Sequence, residues 1–147
     1  MPDKQEPQDA TAVLAELLRN DVETLAQELG GPWFELAKDD TEGVRFVNGV
    51  PAQVLIRLDP ERVTVAQPKL IWQGRIPAFV LGKTHLDAPW DTNPSLADLA
   101  AAAASASTAR RRTFRWCRYC RELHDPGNLH ERDVCMGCAE QFLGVVH

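Results

Sequence analysis

The chain has 147 residues, 44% of them hydrophobic, and a formal net charge of −5. That is room for one modest globular domain plus a small metal module, and no apolar run approaches the ~20 residues of a membrane-spanning helix. The opening MPDKQEPQDA is too polar for a secretory signal, so a cytoplasmic protein without membrane contacts is expected. The negative charge argues against nucleic-acid binding by the chain as a whole, but it is unevenly spread. Residues 1–109 carry nine Lys and Arg against sixteen Asp and Glu, whereas residues 110–147 carry seven Arg against five acids. Basic character is local.

Residues 1–9, polar with two prolines, are expected to be a disordered tail. Residues 10–90 are expected to form a small α+β domain. Between Ala10 and Leu29, Leu14, Leu18, Val22, Leu25 and Leu29 recur every three or four positions, widened by Val13 and Leu17. This predicts one amphipathic helix of about five turns. Asp9 offers an N-cap and Gly30-Gly31-Pro32 a stop, while Asn20 with Glu23 fits a capping box at which the helix would break. Such a stripe covers a sheet or engages a partner; the strand-rich sequence that follows favours the sheet.

From Trp33 to Lys83 short strands alternate with turn signals. Val44 to Val47 leads into Asn48-Gly49, a primed hairpin turn, and returns as Val54 to Leu58. Asp59-Pro60-Glu61 turns the chain into Arg62 to Ala66; Leu70 to Trp72 follows, then Arg75 to Leu81, which Pro77 places at a sheet edge. One long helix beside four or five antiparallel strands results. Trp33, Trp72 and Phe79 are read as core in preference to a stacking platform.

No enzymatic chemistry is expected in this domain. Gly82-Lys83-Thr84 resembles the end of a phosphate-binding loop, but Pro77 stands where that loop needs glycine. Asp39, Asp40 and Glu42 lie in a turn, the usual place for solvated charge. His85 and Asp87 suit a base and its orienter, yet no nucleophile is tied to them. Residues 91–112 are expected to be an Ala-rich helical linker: Asn93-Pro94-Ser95 with Asp98 reads as a capped start, and Leu96 to Ala109 is largely alanine. With only Leu96 and Leu99 to anchor it, this segment reads as a semi-rigid spacer, or else as flexible coil.

All four cysteines fall in residues 113–147, as the Cys-x-x-Cys pairs Cys117/Cys120 and Cys135/Cys138 with fourteen residues between. Four thiolates are the ligand set of a closed, structural Zn2+ site. Disulfides would need an oxidising compartment, and a catalytic zinc an open position that four thiolates do not leave. His124 and His130 lie between the pairs and are read as solvated. The second pair runs into Ala-Glu-Gln-Phe-Leu, a helical sequence ended by Gly144, which puts thiolates at a positive helix end. A knuckle, a hairpin, and a knuckle opening a helix resembles the treble-clef fingers of GATA-type proteins and of the DksA/TraR family, whose inter-pair spacing is a few residues longer. The resemblance implies a fold more than a function.

Before and through the first pair run Arg110, Arg111, Arg112, Arg115, Arg118 and Arg121 with Phe114, Trp116 and Tyr119: six arginines and three aromatics in twelve residues. Guanidinium groups grip phosphates bidentately and aromatic faces stack on bases, so this stretch is the candidate DNA- or RNA-binding surface. The competing use is structural: Arg110 to Arg112 complement the negative end of the preceding helix, and Trp116 and Tyr119 pack around the knuckle. A helix ending in basic residues followed by Phe-Arg-Trp-Cys-x-x-Cys is also similar to the junction into the zinc ribbon of bacterial Nudix NADH pyrophosphatases. Their catalytic box is missing from this sequence, so only an architecture is implied. The expectation is a zinc-finger accessory or regulatory protein that contacts nucleic acid while its acidic domain binds a protein or forms a homodimer. The alternative is an adaptor whose finger docks on a larger enzyme through Phe142 and Val145.

Overall fold

The computed structural model describes residues 8–37 and 43–144. The acidic turn of Asp39, Asp40 and Glu42, and Val145, lie outside them. The protein is α+β: a five-stranded antiparallel sheet with helices on one face, followed by two small hairpins that carry the cysteines.

The expected long first helix is two. Helix α1 (Thr11–Leu17) stops where Arg19 turns left-handed at φ 57, and α2 (Val22–Leu29) restarts with Asp21 as its N-cap, its carboxylate accepting the Thr24 N–H at 2.7 Å. The break lies one residue beyond the anticipated capping box. It lets the stripe fold back on itself, so Leu14, Leu25 and Leu29 reach one core while Val13, Leu17 and Val22 stay outside. Asp9, assigned to the tail, is ordered: it bridges to Phe34 and accepts the Thr11 N–H.

The strands β1 (Trp33–Glu35), β2 (Val44–Asn48), β3 (Val54–Leu58), β4 (Arg62–Gln73) and β5 (Ile76–Pro89) pair in sequence order. Asn48-Gly49 opens a connection of residues 49–53 and not a two-residue turn; Pro51, with no N–H, cannot join the ladder there. The tight primed turn is Gly74-Arg75, with Gly74 at φ 66 and Gln73 opposite Ile76. The separate strands expected at Arg62 to Ala66 and Leu70 to Trp72 form one, and β5 runs on through Gly82-Lys83-Thr84 to Pro89. Pro77 does lie in the edge strand.

Irregular pairing between Val65 and Pro68 bends this long hairpin. A Cβ on Gly82 would meet the Gln67 carbonyl oxygen at 2.7 Å, so only glycine fits the crossing. Past the bend the ribbon folds over the sheet face opposite the helices. Phe79 and Leu81 pack there against Val47 and Leu55, and Arg45 donates to the Phe79 carbonyl at 2.8 Å. Trp33 is fully buried between helices and sheet, as expected. Trp72 is not core: it is 39% exposed and donates its indole N–H to the Gly127 carbonyl at 2.7 Å.

Helix α3 (Leu96–Arg111) begins at the anticipated Ser95/Asp98 capping box. It is no free spacer. Leu99, Ala102, Ala103 and Ala106 are buried with Ile56, Val63 and Val65, forming an apolar face made of alanine that lets the helix axis approach the sheet closely. Ser107 adds a hydrogen bond to Gln53 at 2.6 Å. Enlarging Ala106 to Leu should therefore destabilise the protein by about 1–3 kcal/mol. The same change at exposed Ala101 should leave denaturant unfolding within about 0.5 kcal/mol of the wild type; equal, negligible effects would mean that α3 does not pack on the sheet.

Candidate metal centre and its flanking surface

Two hairpins and a helix assemble the cysteines. Strand β6 (Arg115–Trp116) pairs with β7 (Leu123–His124), and β8 (Leu129–Glu131) with β9 (Val134–Cys135), which leads into α4 (Met136–Leu143). The first knuckle closes through Arg121 N–H to Cys117 O at 2.8 Å, with Arg121 left-handed at φ 57. Arg118 N–H to Asp133 O, 2.8 Å, ties the hairpins together. Cys135 is the N-cap of α4, and its sulfur accepts the Cys138 N–H at 3.4 Å.

The four Sγ atoms lie within 4.8 Å of one another, Cys120 and Cys135 being 4.0 Å apart. A tetrahedral zinc with Zn–S bonds of about 2.3 Å needs sulfurs about 3.8 Å apart, whereas a disulfide needs about 2 Å. The donor set fits a metal ion. Its electrostatics point the same way: burial and the neighbouring thiols push Cys138 up to about 12. At Cys117 burial is outweighed by the N–H groups of Cys135, Cys120 and Tyr119, bringing the thiol down to about 6. Four thiolates so close cannot ionise together without a cation among them. His124 lies against Cys120, with Nε2 at 3.4 Å from the sulfur and Nδ1 at 3.0 Å from the Asn128 amide nitrogen. If Asn128 donates to Nδ1, the proton sits on Nε2 and points at Cys120, the outer-shell geometry that orients a metal thiolate.

The arginines divide. Arg110 is 5% exposed: it pairs with Asp125, donates Nε–H to the Ala52 carbonyl at 3.3 Å, and lies 5.2 Å from the Phe114 ring centre. It faces inward, so its expected role as a phosphate grip is corrected to a structural one. Burial lowers its pKa from the usual arginine range, and the carboxylate of Asp125, itself buried, faces the charge. Arg111, Arg112, Arg115, Arg118 and Arg121 are exposed, and none makes an ion pair among the described residues. Trp116 is 64% exposed beside Cys117, not packed around the knuckle. Arg118 covers the Tyr119 ring at 5.0 Å, and Tyr119 stacks on Phe142 at 5.1 Å. Phe142 remains 56% exposed.

Sequence reasoning missed two residues that dock the finger, Asp125 and Gly127. Asp-Pro-Gly announces a turn, but nothing local shows that the second oxygen of Asp125 meets a buried guanidinium. His85 and Asp87 do not form a dyad: His85 contacts Gln67 at 2.9 Å and Asp87 pairs with Arg62 at 2.8 Å. A groove of about 1040 Å³ between the Leu17–Asn20 turn, Pro60 and Trp90 has Asp59 on its wall, but that carboxylate is held by the Glu61 and Arg62 N–H groups and Arg57. No helix among the described residues is long and apolar enough to cross a membrane. Comparison of the chain with known protein families, with curated proteins and with solved structures gave no match.

Purified protein is expected to carry about one zinc per chain; Cys138→Ala, or a strong chelator, should release it and collapse the NMR dispersion of residues 115–144 while the sheet signals persist. Retained order in the tail without metal would refute the assignment. Replacing Arg110 with Met strands Asp125 in a buried site and should cost about 3–5 kcal/mol in denaturant unfolding. Arg111→Met, at an exposed position, should cost under about 0.5 kcal/mol.

Proposed function

We propose that this protein is a non-enzymatic accessory or regulatory protein whose zinc-bearing, treble-clef-like finger contacts DNA or RNA. The observation that carries the reading is the exposed indole of Trp116, next to a metal-ligand candidate and flanked by five exposed arginines that have no carboxylate partner among the described residues. A tryptophan placed for packing alone would be covered; here its face is open to a base. The Arg118, Tyr119 and Phe142 stack extends the same surface with a second aromatic platform. The metal's part is structural. It holds the knuckle that spaces Trp116, Arg118 and Arg121, and no reaction is assigned to it.

A protein-adaptor reading has one observation in its favour. Phe142 and Leu143 on α4 are 56% and 41% exposed. On that reading α4 is the docking face, the acidic domain serving the same partner or a second copy of the chain.

Binding of the zinc-loaded protein to labelled single- and double-stranded DNA and RNA across a salt series separates the two. Changing Arg111, Arg112, Arg115 and Arg118 to Ala should weaken binding and flatten the log–log salt slope by about 0.7–0.9 for each phosphate that is no longer neutralised. Trp116→Ala should weaken binding with little change of slope. Absence of binding at low salt overturns the nucleic-acid reading and leaves the adaptor, for which Phe142→Asp should abolish partner capture at unchanged zinc content.

A further inference from the structure

The β4–β5 hairpin does more than cover the sheet. Strand β3 pairs with β4 only as far as Leu55 opposite Ala66, so beyond that point the hairpin is a two-stranded ribbon. One side of the ribbon is occupied: Leu70 and Trp72 meet Gly127 of the finger, and Phe79 and Leu81 meet the sheet. The other side, where Lys69 stands opposite Val80, Ile71 opposite Ala78 and Gln73 opposite Ile76, has no buried side chain. Ile76 at its end is 69% exposed.

The charge on this ribbon is of one sign. Between Gln67 and Leu86 stand Lys69, Arg75 and Lys83 and no carboxylate, in a chain whose acids outnumber its bases by 21 to 16. All three cations are exposed, and none is in an ion pair among the described residues. The tight turn puts Arg75 at the tip. Gly127, held by Leu70 and Trp72, is two residues from Asp125, the partner of Arg110, so the ribbon and the arginine-bearing finger are fixed to each other.

We propose that the free side and tip of this ribbon are a second phosphate-contacting surface, engaging the backbone of the same nucleic acid that the finger binds. The inference rests on the nucleic-acid reading and extends it to residues outside the finger. A two-stranded ribbon is a known shape for lying along a duplex groove, and its lysines suit phosphates as point charges. Seven residues of β4 beyond Ala66 span about 23 Å, so a strand long enough to leave the finger reaches the ribbon. Lysines on a free strand edge also guard against edge-to-edge pairing. The two roles separate on charge reversal, because glutamate guards an edge as well as lysine does but repels phosphate.

The test compares wild type, Lys69→Glu/Arg75→Glu/Lys83→Glu, and Arg75→Glu alone, all zinc-loaded, on oligonucleotides of about 6 and about 25 nucleotides, single- and double-stranded, over a salt series. The triple variant is expected to lose tenfold or more in affinity for the long ligand, with a salt slope lower by about 2, while binding of the short ligand changes little. Arg75→Glu lies in the turn, away from the core. It should show a smaller loss in the same direction, and so it decides the matter if the triple variant unfolds. Unchanged affinity and slope in a folded ribbon variant, with the finger arginine variants still weakened, overturns the ribbon surface and leaves the proposed function standing. If the wild type binds none of the ligands, both fall. Preference for single or double strands identifies which form of backbone the ribbon follows.

Discussion

The buried pair of Arg110 and Asp125 is the constraint on which the rest of the arrangement depends. Arg110 closes the last turn of α3, whose inner face is part of the main core, and its Nε–H reaches the Ala52 carbonyl in the β2–β3 connection. Asp125 stands directly after β7, the strand paired with the first knuckle. One ion pair thus joins the helix, the sheet and the finger. Such a pair is a poor source of net stability, because both charges leave water, but an unpaired member would be costly. An orientation of the finger that left either charge buried and unpaired would therefore be disfavoured.

The cysteine cluster and the docking contacts are linked through the first hairpin. Asp125 follows β7 directly, and the two-residue strands β6 and β7 have little of their own to keep them together. Their order comes from the knuckle, closed by Arg121 onto Cys117 and tied to the second hairpin by Arg118. Gly127 follows within the same turn, its N–H accepted by Asp125 and its carbonyl taken by Trp72. If the four cysteines hold a metal ion, its loss would loosen the knuckle and with it the two anchors, Asp125 and Gly127, that follow it.

What the sequence disclosed follows from how local each signal is. The cysteine spacing, the Ser95/Asp98 cap and the edge position of Pro77 depend on neighbours within a few residues, and each is found where expected. The face of α3 was hidden because alanine surrounds the helix on every side; burial of Ala102, Ala103 and Ala106 is decided by the sheet it meets. Arg110 is chemically identical to Arg111, and only its angular position on α3 turns it inward. Trp72 looked like core by composition but sits on a ribbon bent away from the main core, where Gly127 and not a layer of aliphatics receives it. The break at Arg19 was foreshadowed by Asn20 and Glu23, yet Asp21 won the cap because its carboxylate reaches both the N–H and the hydroxyl of Thr24.

The sheet also separates charge. Glu16, Asp21, Glu23 and Glu28 are exposed on the helices that cover one face, whereas the ribbon folded over the other face carries cations alone. A net charge of −5 describes neither side. Near a polyanion the helical layer is repelled and the ribbon and finger arginines are attracted, so the molecule is turned before any contact forms. At physiological salt this field fades within about 8 Å, which makes it a device for final alignment and not for long-range capture. On the proposed nucleic-acid reading, this division of charge favours approach of the polyanion from the side of the ribbon and finger. In that approach the acidic helical layer would face away from the polyanion.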